Sequence, residues 1–379
     1  MFDCIIVGSG PAGGAAAYHL AKAGRSTLIL EKASLPRYKP CGGGVSPAIA
    51  QWFDFDFTPA IDNTIAKVQY TWKMGDPVEA KLKMSQPMWM VRREAFDRFI
   101  VERAQERGAE VKDNTEVQGI EFKNDAWQVT TPNNAFTARY LIAADGVSGP
   151  TAGWLGFKPR KPFFGAALEV ETAIPNNNKN TAYFEFGSLK NGFIWSFPKS
   201  NGYSISAGFF RPKGGKPEEL KKQLTNYATA SGMNLENSQY WEYQMSLWTE
   251  NQPLHTDRAL LAGEAAGVVD PLTGEGIRPA IFTGVKAAEA IDKALEGDGN
   301  ALAEYSQSIE REWGSDMILA QRLAGLFYQF PQIAYKVGVK RPAAAQVMGK
   351  ILCGELRYSD VTEAAINRLK RSLIPGIKN

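Results

Sequence analysis

The chain has 379 residues, enough for two to three domains at about 150 residues each. Hydrophobic residues make up 44% and charged residues 22%, close to globular averages, which excludes disordered, collagen-like and coiled-coil classes. Lys and Arg total 43 against 40 Asp and Glu, a net charge of +3 without blocks of like charge, which speaks against nucleic acid as the main partner.

Cys4, Cys41 and Cys353 form no Cys-x-x-Cys pair, so neither a disulfide nor a zinc framework is expected, and a reducing cytoplasm fits best. Two histidines, His19 and His255, leave little for a metal site or a Ser-His-Asp triad; no metal is expected. The start carries Asp3 and no basic region, unlike a signal peptide. No uncharged apolar run reaches the ~18 residues of a transmembrane helix.

In chain order, Phe2 to Val7 predicts a buried parallel strand. Gly8-Ser9-Gly10-Pro11-Ala12-Gly13-Gly14 follows, then an alanine-rich helix to about Ala23 with Gly24 as its stop. Ser26 to Leu30 predicts a second buried strand, ending at Glu31. Residues 33–47 read as a Pro/Gly-rich loop, and 92–107 as an amphipathic helix carrying Phe96, Phe99, Ile100 and Ala104. Val117 to Phe122 and Trp127 to Thr131 flank a hairpin turn, and Tyr140 to Ala144 is a buried strand ending at Asp145-Gly146. Ala166 to Thr172, Ala182 to Phe186, Phe193 to Phe197 and Tyr203 to Phe209 suggest an antiparallel sheet, interrupted by a helix near 217–231. Arg258 to Ala262 returns to the buried-strand style, and from Gly276 onward the chain reads mostly helical.

The glycine turn has the context that a dinucleotide fingerprint requires: a strand before, a helix after, and an acid about 20 residues on. Gly8 permits the tight turn, Gly10 lets backbone approach a pyrophosphate, and Gly13 lets helix and strand pack closely. Pro11 and Ala12 open a helix whose free N–H groups suit phosphates, and Glu31-Lys32 ends the second strand where the acid accepts from ribose hydroxyls. The fingerprint alone leaves NAD and FAD both open.

Two later stretches point to FAD. Leu141-Ile-Ala-Ala-Asp-Gly-Val-Ser148 resembles the Asp-Gly motif of the p-hydroxybenzoate hydroxylase superfamily of flavoproteins, and Ala259 to Ile277 resembles its second FAD motif. The resemblance implies FAD contacts from Asp145, Gly146, Gly263, Glu264, Pro271, Gly274, Gly276 and Ile277, with the acid on the ribitol hydroxyls. The superfamily usually has Asp where this chain has Glu264, so a shifted contact is expected. A helix N-terminus beside the isoalloxazine favours negative charge there. Arg93-Glu-Ala-Phe-Asp97 resembles a helix start whose Arg approaches the FAD phosphates, and Val117 resembles a position beside the adenine.

Within that superfamily, Pro36-Arg-Tyr-Lys-Pro-Cys-Gly-Gly-Gly-Val45 resembles the geranylgeranyl reductase family, whose members saturate isolated C=C bonds of polyprenyl chains. The resemblance covers nearly the whole chain. Phe193-Ile-Trp-Ser-Phe-Pro198 is similar to that family's substrate-cavity segment, and Ile351 to Val361 to its C-terminal Gly…Tyr-x-Asp ending. It implies an α/β fold: a Rossmann-type, p-hydroxybenzoate hydroxylase-like FAD-binding domain over 1–66, 88–158 and 250–297, an antiparallel β-sheet substrate domain over 67–87 and 159–249, and a C-terminal helical region over 298–379.

An unactivated alkene offers no carbonyl to polarise, so such an enzyme positions reduced flavin N5 over one carbon and protonates the other. The resemblance places Cys41 near flavin and substrate, beside Gly42 and Gly43 whose backbone can approach a ring; it is the candidate proton donor, directly or through water, with a small polarisable neighbour as the alternative. Trp89, Phe184, Phe186, Trp195 and Phe197 are candidate walls of a long apolar cavity. The expected substrate is a prenyl lipid or prenyl diphosphate, with NADPH or reduced ferredoxin as electron donor. Met317 to Tyr335 reads first as a helical lid and second as a peripheral membrane contact. Lys336, Lys340, Arg341, Lys350, Arg368, Lys370 and Arg371 suit anionic headgroups or a diphosphate, and the expected location is cytoplasmic, with a peripheral position at the membrane as the alternative. The competing readings are an aromatic hydroxylase or halogenase-like oxygenase, and more distantly a non-catalytic flavoprotein.

Overall fold

A computed structural model describes residues 1–175, 178–211, 215–361 and 363–364. Among these residues the strands form two seven-stranded sheets and a three-stranded one. The first sheet runs Glu110–Lys112, Thr27–Leu30, Phe2–Val7, Ala135–Ala143, Ala126–Thr130, Gly119–Lys123, with Ala259–Leu261 also pairing with Ala135–Ala143. Phe2–Val7 is parallel to both of its neighbours. Cys4 and Ile6 pack toward the helices, while Ile5 and Val7 pack with Val117, Val129 and Leu141. Burial on both faces explains why this strand is a continuous apolar run rather than an alternating one. The hairpin turns at Asn124 and Asp125, both at positive φ (53° and 61°), the primed geometry that matches strand twist. Its first strand begins at Gly119, so Val117 lies in the loop before it rather than in the strand.

Helix Pro11–Lys22 packs against Arg93–Glu106 and Ile277–Leu295. Its small residues permit backbone-to-backbone approach: a Cβ added at Gly284 would stand 2.2 Å from the Ala12 carbonyl oxygen. Gly24 follows the helix at φ +77°, as expected of its stop.

The second sheet runs Gln239–Met245, Phe163–Glu171, Gly202–Phe209, Gly192–Lys199, Thr181–Phe186, Lys67–Trp72, Gly75–Lys81. It departs from the wholly antiparallel sheet expected, because Thr181–Phe186 and Lys67–Trp72 pair in parallel. These two strands come from distant segments and are not joined by a hairpin, so nothing imposes antiparallel pairing. The faces follow the two-residue period. Ile194 and Ile205 meet Leu220 and Leu224 of helix Pro217–Ala230. Phe193, Trp195 and Phe197 point the other way, under the C-terminal helices Ser315–Gln329, Pro331–Ala334 and Pro342–Leu352.

The third sheet, Gly44–Val45, Met88–Met90 and Asn63–Ile65, gives the glycine-rich loop of 33–47 a strand at its end. No helix among the described residues is long and apolar enough to cross a membrane. Of the basic residues near the C-terminus, Lys340 pairs with Asp76, and Arg368, Lys370 and Arg371 lie outside the described residues.

Candidate active site

One cavity of about 1000 Å³ runs from the carboxyl edge of the first sheet to the C-terminal helices. At its polar end Gly8, Gly10, Pro11 and Ala12 line the wall. Gly8 sits at φ +100°, and a Cβ there would meet the Ala144 carbonyl oxygen at 2.5 Å. A Cβ on Gly13 would fall 1.9 Å from the Gly8 oxygen; Gly13 does not line the cavity but lets helix and strand close up behind it. Helix Pro11–Lys22 starts at Gly10 without a side-chain cap, leaving N–H groups for an anionic ligand.

Glu31 and Lys32 also line the cavity. Glu31 Oε2 accepts from the Ser9 N–H (3.0 Å) and hydroxyl (2.7 Å) and pairs with Arg37 Nε at 3.1 Å, while Oε1 accepts from the Ala33 N–H at 3.1 Å. Burial works to raise its carboxyl, but Arg37 and Ser9 hold it below its ordinary value. Arg37 is a site residue that sequence reasoning missed. Its other arm pairs with Asp97 at 3.1 Å, and Asp97 also takes a bidentate pair from Arg93 at 2.7 Å. Two guanidiniums thus flank the cavity beside the helix N-terminus, a geometry suited to phosphate oxygens. The signal was in the quoted motif itself, as the arginine after Pro36. Val117 lines the wall near Thr115 and Glu116.

Asp145 and Gly146 lie on the same wall. Asp145 Oδ2 accepts from the Thr151 N–H at 3.0 Å, while its buried Oδ1 has no partner among the described residues. Burial raises this carboxyl, and a hydroxyl-bearing ligand would satisfy the orphaned oxygen. Gly263 and Glu264 also line the cavity, with Glu264 Oε2 3.9 Å from where a Cβ on Gly146 would stand and paired with Lys39 Nζ at 2.8 Å. Helix Ile277–Leu295 opens at Gly276 without a side-chain cap; Gly274, Gly276 and Ile277 face the cavity. Pro271, expected among the cofactor contacts, is buried and does not line the cavity. The turn around it folds inward because Asp270 accepts from the Leu272 (2.7 Å) and Thr273 (3.1 Å) N–H groups and from the Tyr358 hydroxyl (2.7 Å).

The cysteine loop and the aromatic strand meet. Cys41, Gly42 and Gly43 line the cavity, with Trp195 and Phe197 beside them. A Cβ on Gly42 would stand 2.6 Å from Trp195 Nε1, and one on Gly44 3.2 Å from Phe197 Cε2, so the glycines let backbone lie on the rings. The Gly43 N–H donates to Cys41 Sγ at 3.3 Å. Phe184, Phe186, Phe193 and Tyr70 continue the aromatic wall, and Phe327, Tyr328, Met348 and Leu352 close it from the C-terminal helices. Trp89 is a correction. It is buried among Phe57, Phe96 and Val91 on the helix side, because alternation along Met88–Met90 sends Met88 and Met90 to the cavity face. Met88 lines the cavity in its place.

These residues fit FAD: glycine-cradled helix N-termini, two arginines, an orphaned acceptor and an apolar arm in one cavity. The FAD binding domain family matches residues 1–312. A digeranylgeranylglycerophospholipid reductase of Methanocaldococcus jannaschii is 29% identical over 332 residues, covering 83% of this chain and 82% of the relative. In fold, the chain is similar to a geranylgeranyl bacteriochlorophyll reductase-like protein of Thermoplasma acidophilum, at a TM-score of 0.79 and 21% identity, over 98% of this chain and 96% of that one. It is also similar to the flavin-dependent brominase Bmp2, at a TM-score of 0.73 and 19% identity over 98% and 99% of the two chains. The chain belongs to the FAD binding domain family of flavoprotein oxidoreductases.

Proposed function

We propose that this protein saturates isolated C=C bonds of a prenyl lipid chain, with electrons delivered by NADPH or reduced ferredoxin. The observation that carries the reading is the continuity of one cavity. Its polar end suits a dinucleotide, and its far arm is walled by Phe186, Phe193, Trp195, Phe327, Met348 and Leu352. The name carried by the Methanocaldococcus jannaschii relative supports the same substrate class. Bound FAD supplies the two-electron reduction. The chain supplies the rest: the aromatic arm takes up the apolar substrate and excludes water, and Trp195 and Phe197 hold it beside Cys41. Cys41 Sγ, turned toward the Gly43 N–H, is the candidate to release a proton to the alkene carbon that does not receive the hydride. Arg37 and Arg93 take the phosphates, and Glu264, now paired with Lys39, takes the ribitol hydroxyls.

The test is mass spectrometry of a geranylgeranyl lipid after anaerobic incubation with the chemically reduced protein. Gains of about two mass units per bond support the reading, and Cys41→Ala is expected to keep FAD while losing most of that conversion. No gain there, with a gain of about sixteen in air on aromatic compounds, would move the protein to the oxygenases.

A further inference from the structure

Lys199 ends strand Gly192–Lys199, just past Phe197 and Pro198, and is 3% exposed. Its Nζ donates to the Gly42 carbonyl at 2.7 Å and to the Val91 carbonyl at 2.9 Å. Gly42 belongs to the cysteine loop, and the Val91 N–H donates to the Gly43 carbonyl at 2.8 Å. The amine therefore ties the loop at the point where it crosses the segment after Met88–Met90. Gly43 makes room for it: this residue sits at φ +72°, and a Cβ there would be 2.6 Å from Nζ. Ser204, on the neighbouring strand, also sits at the loop: its one hydroxyl proton is shared between Glu169 Oε1 at 2.8 Å and the more distant Cys41 carbonyl at 3.3 Å.

A lysine amine is costly to bury, and packing alone is served as well by an apolar side chain. Burial pushes this ammonium down, against the pull of Glu169, Cys41 and Asp62, with Arg92 adding to the depression. Lys199 lies outside the cavity lining, so it touches neither substrate nor cofactor there. What it touches is the backbone of the loop. Residues 42–44 are all glycine and bring no side chain of their own to anchor it.

We propose that Lys199 is a positioning residue: by holding the Gly42 and Val91 carbonyls it keeps the Cys41 thiol and the Trp195 ring in one arrangement at the cavity. Its bearing on turnover rests on the reductase reading; its bearing on the loop does not.

The test uses the full-length, FAD-loaded protein and Lys199→Met, which keeps the length of the side chain and removes the donors. Alkylation of Cys41 by iodoacetamide is measured by peptide mass spectrometry, with buried Cys4 and Cys353 as internal references. The expected result is a rise of about fivefold at Cys41 alone, as the freed loop exposes the sulfur. In single turnover with a geranylgeranyl lipid the rate is expected to fall about tenfold while the lipid concentration for half-maximal rate stays within about threefold. Lys199→Gln, which keeps a donor, is expected to recover part of both. Cys41 alkylation within about twofold of wild type in folded Lys199→Met would overturn the proposal. If that variant does not fold, Lys199→Leu, which also removes the donors, is read against the same limit. A wild-type protein that reduces no lipid would sink the reductase reading, while the alkylation still decides the role of Lys199.

Discussion

At the scale of single residues the site depends on what is missing from Gly42. Its backbone lies against Trp195, and a methyl group there would come within 2.6 Å of the indole nitrogen. Neither partner yields easily, since Trp195 is wedged against Phe193 and Phe210. Gly42→Ala is therefore expected to destabilise the protein by about 1–3 kcal/mol and to abolish most lipid reduction while FAD is retained. Urea unfolding and the flavin absorption of the purified variant check both parts; wild-type turnover would show that the close approach has no role. The Cys-Gly-Gly-Gly motif and the aromatic strand were each visible in the sequence. Their contact was not, because the residues that meet are more than a hundred positions apart, as are Lys199 and Gly42, at 157.

Among the elements, helices Pro11–Lys22 and Ile277–Leu295 decide whether the polar end of the cavity keeps its shape. Both start at uncapped glycines, and they touch backbone to side-chain-free backbone at Ala12 and Gly284. Gly284→Ala forces them apart, and the first turn, where Ala12 lines the cavity, moves with them. We expect a loss of about 1–3 kcal/mol with an unchanged urea m-value, together with weaker FAD retention after gel filtration. Full retention of FAD would mean that the cradle tolerates the shift. The strands of the first sheet other than Glu110–Lys112, and the Asn124-Asp125 turn, were legible because their signals are local: apolar runs, and residues that accept positive φ. The side to which Trp89 points was not, since a three-residue strand offers no periodicity to read.

Over the whole molecule, the carboxylates of the cavity couple stability to pH in opposite senses. Glu31 is held below its ordinary value of 4.5, against burial, by Arg37 and Ser9. The folded state thus binds its proton more weakly than the unfolded state does. The stability it contributes is complete above that ordinary value and is lost as pH falls through the lower folded value. Asp145, raised by burial, favours the folded state when protonated, and that contribution is lost as pH rises through its folded value. Glu31→Gln is expected to lower the denaturation midpoint at neutral pH and to converge on wild type only as pH falls through the lowered folded value of Glu31. Midpoints measured from pH 3 to 8 check this; a constant gap across that range would exclude the linkage.

The sequence by itself determined the α/β class, the glycine fingerprint with its strand–turn–helix frame, the flavin motifs and the cysteine loop. Each is written in neighbouring residues, whose spacing dictates backbone geometry before any long-range contact forms. The tertiary structure alone decided which side chains share the cavity. It turned Trp89 and Pro271 away, brought in Met88, Arg37, Phe327 and Met348, and set Lys199 under the loop. Such choices depend on which face of a strand is covered and on which distant carbonyl a buried amine finds. Those are properties of packing between segments, and no window of the chain contains them.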